Sequence, residues 1–142
     1  MDAVTVKELM KEQLETVRKS KLCAAFGWEI EEKDLCAHVM LRPRHCRDRG
    51  FLLRMLFDDF PRRPPSYVFV DATTREMKDE AWPPGVRHSA APPGICTLGT
   101  RECHENYHLN DAQYAWESQP NAVLTTLAEI HRLMERGIPR NQ

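Results

Sequence analysis

Three prolines within five residues, Pro61, Pro64 and Pro65, interrupt the chain between two apolar runs. Proline fixes its own φ and pushes the preceding residue into extended geometry. The segment Phe60-Pro61-Arg62-Arg63-Pro64-Pro65 is therefore a stiff corner that no helix can cross. Before it, Phe51, Leu53, Met55 and Phe57 alternate over 51–57 and Asp58-Asp59 closes the run; after it, Ser66 to Val70 is apolar. Alternation with a period of two marks half-buried strands. Two further strands are expected upstream. One covers 22–30, where Phe26, Trp28 and Ile30 alternate, and one covers 35–41, where Leu35, Ala37, Val39 and Leu41 oppose Cys36, His38 and Met40. The connections are the polar turn 31–34, a basic turn over 42–50 whose Pro43 ends the strand before it, and the proline corner. Such short links join antiparallel neighbours, because parallel pairs need long crossovers.

Helices are expected at both ends. Over 5–19, Val6, Met10, Leu14 and Val17 recur at helical spacing, and Thr5 with Glu8 fits a capping box. Its other face, with Lys7, Lys11, Glu12, Glu15 and Lys19, reads as solvated. Over 118–136, Val123, Leu127, Ile130 and Met134 share a face beside Leu124 and His131. Ser118 is the expected cap, Pro120 suits the first turn, Arg132 and Arg136 suit the C-terminal dipole, and Gly137 and Pro139 stop the helix. This helix should cover one face of the sheet, giving a two-layer α+β domain. No regular element is expected over 71–94, a long proline-rich loop that delivers the chain to Cys96.

Bulk properties narrow the function. A chain of 142 residues, 42% hydrophobic and 29% charged, is expected to form one domain over 1–142. A net charge of -1 gives no basic footprint for nucleic acid, and no apolar run has the length of a membrane span. The first residues lack a signal peptide's basic start and apolar middle, so a cytoplasmic protein is expected. Five irregularly spaced cysteines suit free thiols better than a disulfide framework. Cys23, Cys36 and Cys46 read as small buried fillers and His38 as structural, and the pair His45-Cys46 is no metal site by itself.

The order of motifs goes further. An aromatic-Pro-x-x-Pro-Pro corner at 60–65 is followed by the strand Tyr67-Val68-Phe69-Val70. Then come Gly94-Ile95-Cys96-Thr97-Leu98, Trp116 and an amphipathic helix. This order, over about 4–137, resembles the ubiquitin-conjugating enzyme superfamily, and its prokaryotic branch more than the eukaryotic one. The resemblance implies a ubiquitin-conjugating-like fold: helix, four-stranded antiparallel meander, proline-rich active-site loop and covering helix, without the family's last two helices. It implies that Cys96 takes a ubiquitin-like protein as a thioester from an activating enzyme. An amine of a protein target, a lysine, then takes it from Cys96. A thiolate suits this because it is both nucleophile and leaving group. No cofactor is implied, since the activating partner spends the ATP. The first helix would dock that partner, with Lys7 and Lys11 as candidate contacts. A bacterial, defensive conjugation pathway is the expected setting.

Two departures from the family's pattern matter. The His-Pro-Asn segment whose Asn supports the oxyanion is missing, and His88 stands eight residues before Cys96 in its place. His88 is the candidate oxyanion donor or base, against a solvated loop histidine. Trp116 follows Cys96 by twenty residues, farther than in the family, which leaves an insert containing Cys103, His104, His108 and Asp111. Similar His-rich inserts occur in prokaryotic members. Either the insert is a lid whose His104, His108 or Asp111 orients or deprotonates the attacking amine, or Cys96, Cys103, His104 and His108 supply four zinc ligands. Against zinc, there is no Cys-x-x-Cys knuckle, and adjacent Cys-His ligands are awkward. His104 and His108 are expected to share a helix face. Two rival functions stand beside the enzyme. One is an inactive, RWD-like partner-binding module; the other is a small zinc protein.

Overall fold

A computed structural model describes residues 2–88, 94–108 and 115–138. The first helix, α1, spans Ala3–Lys19 and buries Val6, Met10, Leu14 and Val17. Its cap is Asp2, not Thr5: Asp2 Oδ1 accepts from the Thr5 amide at 2.9 Å and from the Thr5 hydroxyl at 3.1 Å. The Thr5 amide, above all, holds the Asp2 carboxyl below its ordinary range.

The strand expected from Leu22 is instead a short helix, α2, over Lys21–Phe26. The reason is local. The Ser20 hydroxyl accepts from the Cys23 amide at 3.1 Å, and Gly27, in the left-handed region, closes the far end. Phe26 and Trp28 thus belong to a helix end and its exit, and their alternation with Ile30 is incidental.

Four strands follow: β1 Glu29–Lys33, β2 Cys36–Leu41, β3 Phe51–Leu56 and β4 Ser66–Val70. They form one antiparallel sheet in chain order. The register aligns Ile30, Val39, Leu53 and Phe69 in one row, and Ala37, Met55 and Tyr67 in the next. These rows join the apolar faces of α1 and of the C-terminal helix in the main core. A smaller cluster of Leu52, Val68 and Val70 lies on the opposite face with Met40 and Trp82. This explains why all five residues of β4 are buried: the loop after β4, with only a 3₁₀ turn at Asp79–Ala81, brings Trp82 over the sheet.

The covering helix, α3, spans Ala122–Gly137 and starts later than Ser118. Its first turn is held from another helix. Buried Gln13 of α1 accepts from the Val123 amide at 3.1 Å and donates to the Gln119 carbonyl at 2.8 Å. Asn121 stands at the cap position without a side-chain cap bond. Toward the other end, buried His131 accepts from Trp28 Nε1 at 3.0 Å and stacks on Phe26.

The expected fillers Cys23, Cys36 and Cys46 are half-buried rather than buried. Burial raises the Cys23 and Cys36 thiols, and a bond to Asp48 raises Cys46. Among the described residues no helix is long and apolar enough to cross a membrane.

Candidate functional site

The proline corner is the anchor of the site. Phe60 is buried edge-on against Phe57, and the Phe60-Pro61 bond is cis. Trp116 Nε1 donates to the Pro61 carbonyl at 2.9 Å, tying the segment after the insert back to the corner. The insert's first half is tied there too. The Arg101 amide donates to Pro65 O at 2.9 Å and its Nε to Pro64 O at 3.1 Å. Buried Glu102 accepts from Ser66 Oγ at 2.8 Å and from the Tyr67 amide at 3.1 Å. Arg63 grips Glu105 through both carboxylate oxygens, at 2.9 and 2.5 Å, and holds that carboxyl below its ordinary range. Residues 101–105 are therefore clamped to the proline corner and the start of the strand after it. They run into a π-helical turn, Cys103–Tyr107, closed by the His108 amide on Cys103 O at 2.9 Å.

The Cys96 loop is seated by two threonines. Buried Thr100 donates its hydroxyl to the carbonyls of Ile95 and Thr97, both at 2.9 Å, and accepts from the Cys103 amide at 3.1 Å. Thr126 of α3 donates to Leu98 O at 3.0 Å. Gly99 sits at φ +94°, and a β-carbon there would lie 2.0 Å from Thr126 Oγ1. Only glycine fits this turn. Ile95 is fully buried, so Cys96, next along, is turned outward and exposed.

Around that thiol the structure gathers part of the expected set. His108 Nε2 stands 3.4 Å from Cys96 Sγ. The ligand atoms of Cys96, Cys103 and His108 all lie within 4.8 Å of one another. Cys103 is buried, and burial first, then the neighbouring Cys96, pushes its thiol up to about 12. Of the two thiols, Cys96 is the one that faces solvent. His104 is not in this cluster. Its Nε2 accepts from the Gly99 amide at 2.9 Å, and its ring meets Trp116 edge-on, so it shapes the loop. The four-ligand zinc set therefore loses His104. His88 lies flat on Tyr107, ring centroids 4.0 Å apart, and its amide donates to Gly94 O at 2.8 Å. Asp111 lies outside the described residues.

Beside Cys96 a groove of about 760 Å³ runs along α3 toward α2, floored by Leu98, Leu124, Ala128, Leu133 and Leu22. An exposed thiol at hydrogen-bonding distance from an imidazole has the chemistry of a nucleophile beside a base, and the groove alongside is lined by Thr125, Glu129 and Arg132 as well as by these apolar side chains. Thr100, Thr126 and Glu102 were not singled out by the sequence. Nothing local marks them, because their partners are carbonyls and amides brought in by the fold. No protein-family model matches this chain, and no curated protein matches it.

Proposed function

We propose that the chain is a ubiquitin-conjugating-like enzyme of the prokaryotic kind, carrying a ubiquitin-like protein as a thioester on Cys96. The observation that carries the reading is the exposed Cys96 thiol 3.4 Å from His108 Nε2, on a loop pinned by Thr100 and Thr126. The α+β arrangement of N-terminal helix, antiparallel meander and covering helix, in the motif order of that family, supports it.

In the loading step the Cys96 thiolate attacks the thioester carbonyl of the ubiquitin-like protein on its activating enzyme. The activating enzyme's thiolate leaves. In the discharge step a lysine amine of the target attacks the new thioester, an amide forms, the Cys96 thiolate departs, and His108 takes the amine's proton. His88, which stacks on Tyr107, is the candidate oxyanion donor or base on the incoming amine.

The test is non-reducing electrophoresis after incubation with the activating enzyme, the ubiquitin-like protein and ATP. A shifted band that thiols remove, kept in Cys103→Ala and absent in Cys96→Ala, is the expected outcome. Loss only in Cys103→Ala would move the nucleophile into the insert. No adduct on any variant, with the activating enzyme itself charged, would leave a partner-binding module.

A further inference from the structure

We propose that Cys96, Cys103 and His108 form a site for a zinc ion, supplying three ligands among the described residues, and that zinc there and an acyl group on Cys96 exclude one another. The site stands on the geometry alone; the competition rests on the carrier reading above.

The distances suit the ion. With Zn–S bonds of about 2.3 Å and Zn–N bonds of about 2.0–2.1 Å, a tetrahedral centre places sulfur and nitrogen about 3.5 Å apart. Cys96 Sγ and His108 Nε2 are 3.4 Å apart, and Cys103 Sγ completes the triangle with no ligand pair beyond 4.8 Å. The Cys96–His108 pair already has the spacing of a tetrahedral site, and the other pairs reach it by rotation of the cysteine and histidine side chains.

The ligands also come from elements fixed on other grounds. The turn Cys103–Tyr107, closed by the His108 amide on Cys103 O, sets two of them side by side. Thr100 holds the Cys103 amide and the Ile95 carbonyl next to Cys96, so one hydroxyl sets the spacing of the two sulfurs. Ligands fixed by a supporting shell bind without the cost of ordering them.

The donor chemistry selects the metal class. Two sulfurs and an imidazole are soft to borderline ligands, which favour zinc over magnesium or calcium. Both thiols bind as thiolates, so two protons leave as the ion enters, and the ion's charge offsets two thiolates that would otherwise repel each other. Cys103 is buried and Cys96 exposed, so the site faces solvent and the groove on its Cys96 side. With three protein ligands among the described residues, the site is of the open rather than the closed structural type. A thioester on Cys96 has no thiolate to give, so acylation removes a ligand.

The test uses the purified full chain, reduced with a phosphine and free of metal. Cobalt(II) is the spectroscopic stand-in for zinc. The expected result is one ion per chain, with a near-ultraviolet thiolate charge-transfer band and the strong visible bands of a four-coordinate site, displaced by zinc. Cys96→Ser and His108→Asn should each weaken binding by at least ~10-fold, while Cys46→Ser should not. Cys103→Ser should act likewise; if it fails to fold, alkylation of the wild type decides. Saturating zinc should then slow iodoacetamide attack on Cys96 at least ~10-fold, and a chelator should restore it. No charge-transfer band in the wild type, or a band unchanged in Cys96→Ser or His108→Asn, overturns the site. Adduct formation at the same rate with zinc-saturated protein overturns the competition but not the site. Cobalt bound through all three ligands, with no adduct under any condition, keeps the site and removes the carrier reading.

Discussion

The two halves of α3 solve the same problem for different ends. Near its N-terminus, Thr126 donates to Leu98 O on the loop that carries Cys96, and the Val123 amide donates to Gln13 of α1. Near its C-terminus, His131 meets Trp28, Phe26 and Glu135, none of which belongs to the Cys96 loop. Both ends bury polar groups that must be satisfied. At the first end the satisfaction sets the position of a reactive group. At the second it holds α3 against α2 and the entry to the sheet. Damage at the first end should therefore change thiol reactivity as well as stability, and damage at the second should change stability alone.

The sharpest break is Gly99→Ala. The added carbon would sit 2.0 Å from Thr126 Oγ1 in a residue already at φ +94°. A strained backbone and a clash together should cost about 2–4 kcal/mol, read as a lower midpoint in urea. The same variant should change the alkylation rate of native Cys96, because the loop can relieve the clash only by moving. An unchanged rate with an unchanged midpoint would show that Thr126 does not seat the loop. Gln13→Ala comes next. It leaves the Val123 amide buried without its acceptor and the Gln119 carbonyl without its donor. Loss of about 1–3 kcal/mol is expected in urea unfolding. A change below about 0.5 kcal/mol would mean that Asn121 or water takes over the cap.

Much of the frame was legible in the sequence. Alternation in 35–41 and 51–57 fixed the buried rows, because a period of two is local and a slip would turn every side chain over. The apolar face of α3 was legible for the same reason at helical spacing. What failed was governed by partners far along the chain. The start of α3 was misplaced at Ser118 because its first turn is held by Gln13, 106 residues from Gln119. The strand expected from Leu22 gave way to α2 because six residues between Ser20 and Gly27 outweigh one alternating triplet. At the site, Cys96 and His108 were named together, and the fold brings them to 3.4 Å. His104 carried the same sequence signal. It differs only because the Gly99 amide, turned by the positive φ, takes its Nε2. Spacing alone has no means of separating the two histidines.

The smallest effect belongs to the other end of α3. His131 is buried, and burial, outweighing Glu135 at 3.4 Å, sets its pKa below the ordinary 6.5, with Arg44 and Arg47 pushing the same way. The unfolded chain thus binds this proton more readily than the folded one. Stability contributed by the neutral imidazole is fully present above pH 6.5 and is lost as pH falls through the lower, folded value. For one proton the slope is at most about 1.4 kcal/mol per pH unit. His131→Gln keeps an acceptor for Trp28 Nε1 and cannot titrate, so its stability should fall less steeply than the wild type's below pH 6.5. Urea midpoints measured in steps from pH 7.5 downward check this. Alkylation of Cys96 in His131→Gln should match the wild type at pH 7.5. If it does not, the two ends of α3 are coupled through the helix, and the division drawn between them fails.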